Sequence, residues 1–274
     1  MVSQAEKGVR FRALHERGEA FVIPNPWDVG SARMLGAQGF EALATTSAGF
    51  AYSLGRVDGQ VTRDEKLAHC REICSAMDLP VSADLENCFA DTPEGVAETV
   101  LLAAKSGLVG CSIEDYTIAP EPRIYEFELA VARVKGGVEA AKSLEFPFTV
   151  TARAENVLRG MFDIDEAIRR LKAYEMVGAN VVYAPGLRTL GQVGAVVGAV
   201  DVPVNVLATK DLEVAGLSAA GVSRISLGSS LYLAAIGGFI RATEEIKQQG
   251  TFTELGKVVP SRDVAQMMKS RGEI

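Results

Sequence analysis

Val81-Ser82-Ala83-Asp84-Leu85-Glu86-Asn87 is the stretch whose reading decides the fold. It starts apolar, alternates, and ends in polar residues, as a short half-buried strand does. Asp91-Thr92-Pro93-Glu94 then places proline and an acid in the first turn of a helix. That helix is expected over 93–106 and stops at Gly107. Val109 opens the next apolar run at once. The same unit recurs along the chain. Strands are expected at 21–24, 42–46, 81–84, 109–114, 148–153, 180–183, 204–207 and 224–227. Helical stretches fall between them, among them 62–77, 93–106, 125–143 and 163–177. Thr62-Arg63-Asp64-Glu65 is a capping box, and the stretches before Gly107 and Gly178 end at glycine. Strands alternating with helices in this way predict an α/β fold, a single (β/α)8 barrel over 1–274. A doubly wound open sheet would want a glycine-rich phosphate turn after an early strand, and none is present. An extra helix is expected at 4–18, before the first strand, and a short one from Pro260 onward.

Composition narrows the partners. The 274 residues are 48% hydrophobic, which predicts a globular chain. A net charge of -7 leaves no basic face for a phosphate backbone, so no nucleic-acid partner is expected. No apolar run approaches the roughly 20 residues that span a bilayer, and the N-terminus has no apolar signal core, so no membrane partner and a cytoplasmic location are expected. With only His15 and His69, one copy of the chain cannot build a three-histidine zinc site. Cys70, Cys74, Cys88 and Cys111 read as reduced thiols. Strand alternation turns Cys111 toward the helix layer, while Cys88 falls in a rim loop.

In a barrel, the chemistry sits where strands end. Alternation puts Ser82, Asp84 and Glu86 on one side of the third strand end, and Ser112 and Glu114 on one side of the fourth. Asp84, Glu86 and Glu114 would then crowd one rim, where they repel unless a cation lies among them. Hard oxygen donors without imidazole suit Mg2+, with Mn2+ as the substitute. The alternative is that these acids are solvated or cap the following helices, a role that also suits Asp115. Arg153 shares a side of the fifth strand with Thr149 and Thr151. There it could clamp a substrate carboxylate with two parallel bonds, or form a salt bridge to Glu155 or Glu114. The small residues of Thr45-Thr46-Ser47-Ala48-Gly49 offer backbone N–H groups to an oxyanion. Asn205, inward on the seventh strand, is either a donor to substrate or a polar core residue.

Together these stretches resemble the isocitrate lyase and phosphoenolpyruvate mutase superfamily. The resemblance lies in Thr45-Thr46-Ser47-Ala48-Gly49, Leu54-Gly55-Arg56-Val57-Asp58, Ser82-Ala83-Asp84-Leu85-Glu86, Ser112-Ile113-Glu114-Asp115, Thr151-Ala152-Arg153 and Pro203-Val204-Asn205, and it covers nearly the whole chain. It implies a (β/α)8 barrel whose last helix is exchanged between subunits in a homodimer or homotetramer. The apolar stretch 229–240 fits such a buried helix. It implies Asp84, Glu86 and Glu114 as the acids that hold Mg2+, directly or through water, with Glu86 standing where the family usually has Asp. Ser47, Ala48 and Gly49 match the clasp on a 2-oxo acid, with Thr45, Asp84 and Asn205 alongside. Arg153 matches the arginine for the substrate carboxylate, and Asp58 the acid on a gating loop from Gly55 to Gly59.

The departures matter as much. The loop after the fourth strand reads Tyr116-Thr117-Ile118-Ala119-Pro120-Glu121-Pro122-Arg123. It lacks the Lys-Lys-Cys-Gly-His type sequence whose cysteine is the general acid of isocitrate and methylisocitrate lyases, and the Lys and Asn of phosphoenolpyruvate mutase. The resemblance is nearest to phosphonomutase-like members. The expected activity is an Mg2+-dependent carbon–carbon lyase or decarboxylase working through the enolate of a small 2-oxo acid. Asp58, Glu121, Arg123 and Tyr116 are the candidates for moving protons. The alternatives are C–P chemistry on phosphonopyruvate and a non-catalytic 2-oxo acid binder.

Overall fold

The computed structural model describes residues 2–118 and 121–269. Eight parallel strands run in the order one, eight, seven, six, five, four, three, two around the sheet. They are Phe21–Ile23, Leu43–Ala44, Val81–Asp84, Gly110–Glu114, Thr149–Arg153, Val181–Tyr183, Val204–Leu207 and Arg224–Ser226. The Ala44 N–H donates to the Pro24 carbonyl at 3.0 Å, joining the second strand to the end of the first. The result is a (β/α)8 barrel, as the repeat predicted. Each strand lies within its expected span, the second being the shortest.

The helices that cover the barrel follow their sequence signals. Helix α4 (Arg63–Ala76) starts on the Thr62 capping box. Helix α5 (Pro93–Lys105) has Pro93 in its first turn, and Gly107 beyond its end takes φ +92°, where a side chain would be strained. Helices α6 (Phe127–Lys142) and α7 (Ile164–Met176) follow the fourth and fifth strands. Outward residues of the strands, among them Ala83, Cys111, Ile113, Val150, Ala152 and Val182, form one apolar cluster with these helices. Gly137 lets α6 approach, because a Cβ there would stand 2.4 Å from Ile113 Cδ1.

Helix α1 (Gln4–Glu16) closes the N-terminal end of the barrel. Its Phe11 and Leu14 pack with Phe21, Ile23, Ala42 and Val109. Gly110 makes room, since a Cβ there would lie 3.0 Å from Phe11 Cε1 and 2.7 Å from the Thr149 carbonyl oxygen. With the bottom plugged, the barrel opens only at the strand C-termini.

The barrel interior is polar. Arg224 is buried there without a carboxylate, donating from Nε to Asn205 (2.8 Å) and from Nη2 to Thr151 (2.9 Å). Near the C-terminus, α10 (Ser230–Gln249) has no buried residue. The stretch 229–240, expected to be buried between subunits, is largely open in a single chain: Leu233 and Phe239 are exposed. The short helix α11 (Ser261–Met268) packs on α2 (Val29–Ala37), and the Arg33 guanidinium donates to the Met268 carbonyl. Among the described residues, no helix is long and apolar enough to cross a membrane.

Candidate active site

A cavity of about 130 Å³ opens at the C-terminal rim, lined in part by Ser47, Asp58, Asp84, Glu86, Glu114, Tyr116, Arg153 and Arg159. Strand register builds it. Glu114 and Arg153, the last residues of the fourth and fifth strands, stand side by side, and Arg153 pairs in turn with Tyr183. Asp84 ends the third strand beside Ser112. Glu86 lies past the strand end, where alternation no longer applies. A left-handed backbone (φ +53°), unusual for a side chain that is not glycine, brings it to the cavity.

The backbone around Glu86 and Glu114 is held from behind. Arg133 on α6 is fully buried and donates to the carbonyls of Glu114 (2.9 Å), Asn87 (2.5 Å) and Ala90 (3.0 Å). Its guanidinium also lies 3.9 Å from the Tyr125 ring centroid. Thr45 has a supporting role, its hydroxyl accepting from the Asp84 N–H at 3.2 Å.

Arg153 sits in the middle of the acids. Its Nη1 is 2.8 Å from Glu114 Oε1 and 3.3 Å from Asp84 Oδ1, and its Nη2 is 2.7 Å from Glu155 Oε1. The ion pairs foreseen as the alternative to substrate binding are therefore present. Burial pushes Asp84 upward, but Arg153, Lys66 and the N–H groups of Ser47 and Glu86 outweigh it and hold it below the ordinary value. Burial and the charge of Asp84 push Glu86 up to about 7. Burial also drives Glu114 well above its ordinary value, with Glu155 and Asp84 repelling it and Arg153 and Arg159 opposing. Asp58 is raised by burial and then by Asp84.

The acids fit a hard cation in one respect and qualify it in another. Four carboxylates share the cavity, Asp58, Asp84, Glu86 and Glu114, and all but Asp84 carry raised carboxyls that a cation would relieve. Yet among the described residues no three Asp, Glu, His or Cys side chains converge into a ready-made cage. Mg2+ keeps several waters and takes only one or two carboxylates directly, so it does not require such a cage.

The expected clasp has taken helical form. Ser47, Ala48 and Gly49 are the first turn of α3 (Ser47–Ser53). The Ser47 N–H donates to Asp84 Oδ2 (3.2 Å), and the Gly49 N–H donates to the Thr46 hydroxyl (3.2 Å). Asn205 lies below the rim, tied to Arg224 and donating to the Ser226 hydroxyl at 3.0 Å, so its polar-core reading describes what it touches. Glu121 and Arg123 do not line the cavity. Both are exposed, and Arg123 reaches Asp91 at 3.9 Å instead. The reason is local: the chain turns back as a two-stranded hairpin, Tyr116–Thr117 with Arg123–Ile124, and of its described residues only Tyr116 and Ile118 line the cavity. Ala119 and Pro120 of that loop lie outside the described residues.

Asp115 is structural. It is buried, accepting from the Glu155 N–H (2.8 Å), the Tyr174 hydroxyl (2.7 Å) and Arg170 (3.1 Å). All four cysteines are buried and burial raises their thiols, Cys74 and Cys88 to about 12, so none is a ready nucleophile. Glu155 was foreseen only as a salt-bridge alternative for Arg153, and Arg159 was not foreseen at all. Glu155 is fully buried against Arg153. Arg159 stacks 3.8 Å over the Tyr116 ring, with Nη2 3.2 Å from Glu155 and 3.8 Å from Glu114. The spacing Glu155 to Arg159, that of a helical-turn pair directly after a strand end, is the signal that could have found Arg159.

Fold and site together define a (β/α)8 barrel protein with an acid- and arginine-lined cavity at the C-terminal rim of its strands. The family model described as phosphoenolpyruvate phosphomutase matches residues 11–247, and the chain belongs to that family, within the isocitrate lyase and phosphoenolpyruvate mutase superfamily. A solved structure from Burkholderia cenocepacia, described as a candidate lyase/mutase, is 49% identical and superposes with a TM-score of 0.94 over 97% of each chain. An uncharacterised protein of Mycobacterium tuberculosis is 32% identical over 82% of this chain and 84% of its own length. The 2-methylisocitrate lyase of Escherichia coli is 26% identical over 97% of this chain and 90% of its own.

Proposed function

We propose that this protein is an Mg2+-dependent lyase acting on a small 2-oxo carboxylic acid through its enolate, breaking a C–C bond or removing CO2. The observation that carries the reading is the meeting of Asp84, Glu86, Glu114 and Arg153 at one rim cavity, in a chain of a family whose members include lyases. Asp84, Glu86 and Glu114 would hold the ion, directly or through water, and Mn2+ is the natural substitute. When bound, the ion supplies positive charge beside an oxygen that becomes negative as the enolate forms.

The chain's own groups divide the remaining work. Arg153 binds and orients the substrate carboxylate, exchanging part of its present contact with the rim acids for it. Ser47, Ala48 and Gly49 shape the wall on which the 2-oxo group rests. Asp58, with its raised carboxyl at the cavity, is the group placed to take or return a proton. Glu121 and Arg123 have no contact there from which to act. The exposed apolar face of α10 supports assembly with a second copy, a homodimer or homotetramer built on that helix.

One observation favours C–P chemistry as the second reading: Arg159 adds a guanidinium to the cavity that a phosphoryl group would use. Turnover assays with Mg2+ on oxaloacetate and phosphonopyruvate, following pyruvate, CO2 and phosphate, decide between the readings. Pyruvate with CO2 supports the lyase and phosphate supports the second reading. Binding without any product would leave a 2-oxo acid binder and overturn both.

A further inference from the structure

A buried lysine stands behind the acid-lined cavity and plays no part in the chemistry above. Lys66, in the first turns of α4, has no solvent exposure, and among the described residues its Nζ has no hydrogen-bond partner. Its ammonium lies 5.7 Å from the centroid of the Phe50 ring on α3. His69, one turn further along α4, stacks on the same ring at 3.8 Å. Burial and the Lys66 charge keep that imidazole neutral, pushing it to about 3, so His69 is no counter-ion.

Beyond α3 the chain runs through residues 54–61. Leu54, Arg56 and Val57 are exposed, and Gly55 and Gly59 both take left-handed backbone (φ +70° and +81°). Between them Asp58 turns back to line the cavity. Its carboxyl bonds the Ser47 side chain, but among the described residues its Oδ1 is buried and, like Lys66 Nζ, has no hydrogen-bond partner. Two buried atoms of opposite charge thus both lack a hydrogen bond, and the Lys66 charge favours the ionised Asp58, as Ser47 and Arg159 do. The charges of Asp84 and Glu86 lie in the field of Lys66 as well. A lone ammonium in an apolar pocket is costly, and the cost is offset only by anions that feel it through low dielectric. Asp58 meets the opposite problem, since Asp84 repels it from the place it occupies.

We infer that Lys66 is a positioning residue, the internal counter-charge that draws residues 54–61 onto the cavity mouth and holds Asp58 there against the rim acids. Its meaning for turnover rests on the proposed function, but the closure it enforces does not. Without the charge, the segment stays anchored at its ends by Val61 against Phe50 and Ala51 and by the Arg56–Glu65 pair, but its tip swings outward, taking Asp58 with it.

The test is amide hydrogen exchange of the ligand-free protein, read at residues 55–61, for wild type, Lys66→Met, Asp58→Asn, the double variant and Lys66→Arg. Lys66→Met should speed exchange at 55–61 at least tenfold while the barrel strands keep wild-type rates, and its melting temperature should hold or rise as a lone buried charge is lost. Asp58→Asn should speed the same amides. The double variant should be no faster than either single one, and Lys66→Arg should restore slow exchange. Unchanged exchange in Lys66→Met, or effects that add in the double variant, would overturn the inference. Asp58→Asn decides by sign alone if Lys66→Met does not fold: faster exchange means attraction to Lys66 dominates, and slower exchange means repulsion by Asp84 does. Oxalate binding to the wild type with Mg2+ is measured alongside. Its absence would sink the proposed reaction and leave the exchange result standing.

Discussion

Replacing Arg153 by methionine removes the guanidinium that three carboxylates share and leaves the stem's volume roughly unchanged. The side chain is 11% exposed, while those of Glu155, Glu114 and Asp84 are 0%, 7% and 19% exposed. Breaking a buried pair from one side leaves an uncompensated charge and costs about 3–5 kcal/mol. At about 2–4 °C per kcal/mol for a chain of this size, the melting temperature should fall on the order of 10 °C. The sign with pH follows. In the variant, the freed carboxyls have folded pKa values above their unfolded ones, so the deficit is largest at high pH. It shrinks as the pH falls toward the ordinary carboxylate range, where the groups take up protons. Urea unfolding at pH 7.5 and pH 5, with Mg2+ and with EDTA, measures it. A deficit of 3–5 kcal/mol at pH 7.5 in EDTA that narrows at pH 5 and with Mg2+ is expected. A deficit below about 1 kcal/mol, or one unchanged by pH, would refute the view that Arg153 balances the rim acids.

Arg133→Met should be as damaging by another route. It orphans three backbone carbonyls, at about 1–3 kcal/mol each, and loosens the backbone that carries Glu86 and Glu114. Equilibrium unfolding should show a loss of about 3–6 kcal/mol together with weaker Mg2+ binding, and a well-folded variant of normal affinity would contradict it. His15, pushed to about 3 by burial and then by Arg224, is neutral in the folded state, whereas an unfolded chain protonates it below about 6.5. The stability it carries is fully present above that unfolded value and is lost as pH falls toward 3. Wild type should therefore lose about 2 kcal/mol more than His15→Gln between pH 7.5 and pH 5, and equal slopes would contradict a buried neutral imidazole.

The fold was legible because each element obeys a local rule. Period-two runs such as Val81–Asp84 and Gly110–Glu114 ended in acids, and Thr62, Pro93 and Gly107 punctuated the helices as their chemistry demands. Asp84, Glu114 and Arg153 were legible for the same reason, since side-chain alternation holds to the last strand residue. Past that residue it fails. Glu86 reaches the cavity through a left-handed turn, and Arg159 through a rim loop, neither of which has a one-dimensional period. Glu121 and Arg123 were misplaced because the hairpin that carries them away is set by pairing of Tyr116 with Ile124. Lys66, Arg133 and Arg224 were invisible for a different reason. A charge in a helix or strand reads as a solvated face, and only packing shows that these three are buried. The stretch 229–240 read as a helix buried between subunits; within one chain only its start finds partners, Leu231 on the barrel cluster and Tyr232 against Trp27 and Tyr52, while Leu233 and Phe239 stay exposed.

The central claim is that the rim cavity is a metal-dependent site for a 2-oxo acid, and titration calorimetry with oxalate tests it most directly. The account predicts binding to the wild type with Mg2+ or Mn2+, none in EDTA, and none to a folded Asp84→Asn variant. Oxalate that binds without metal and without Asp84, or no binding to the wild type with either metal, would contradict it.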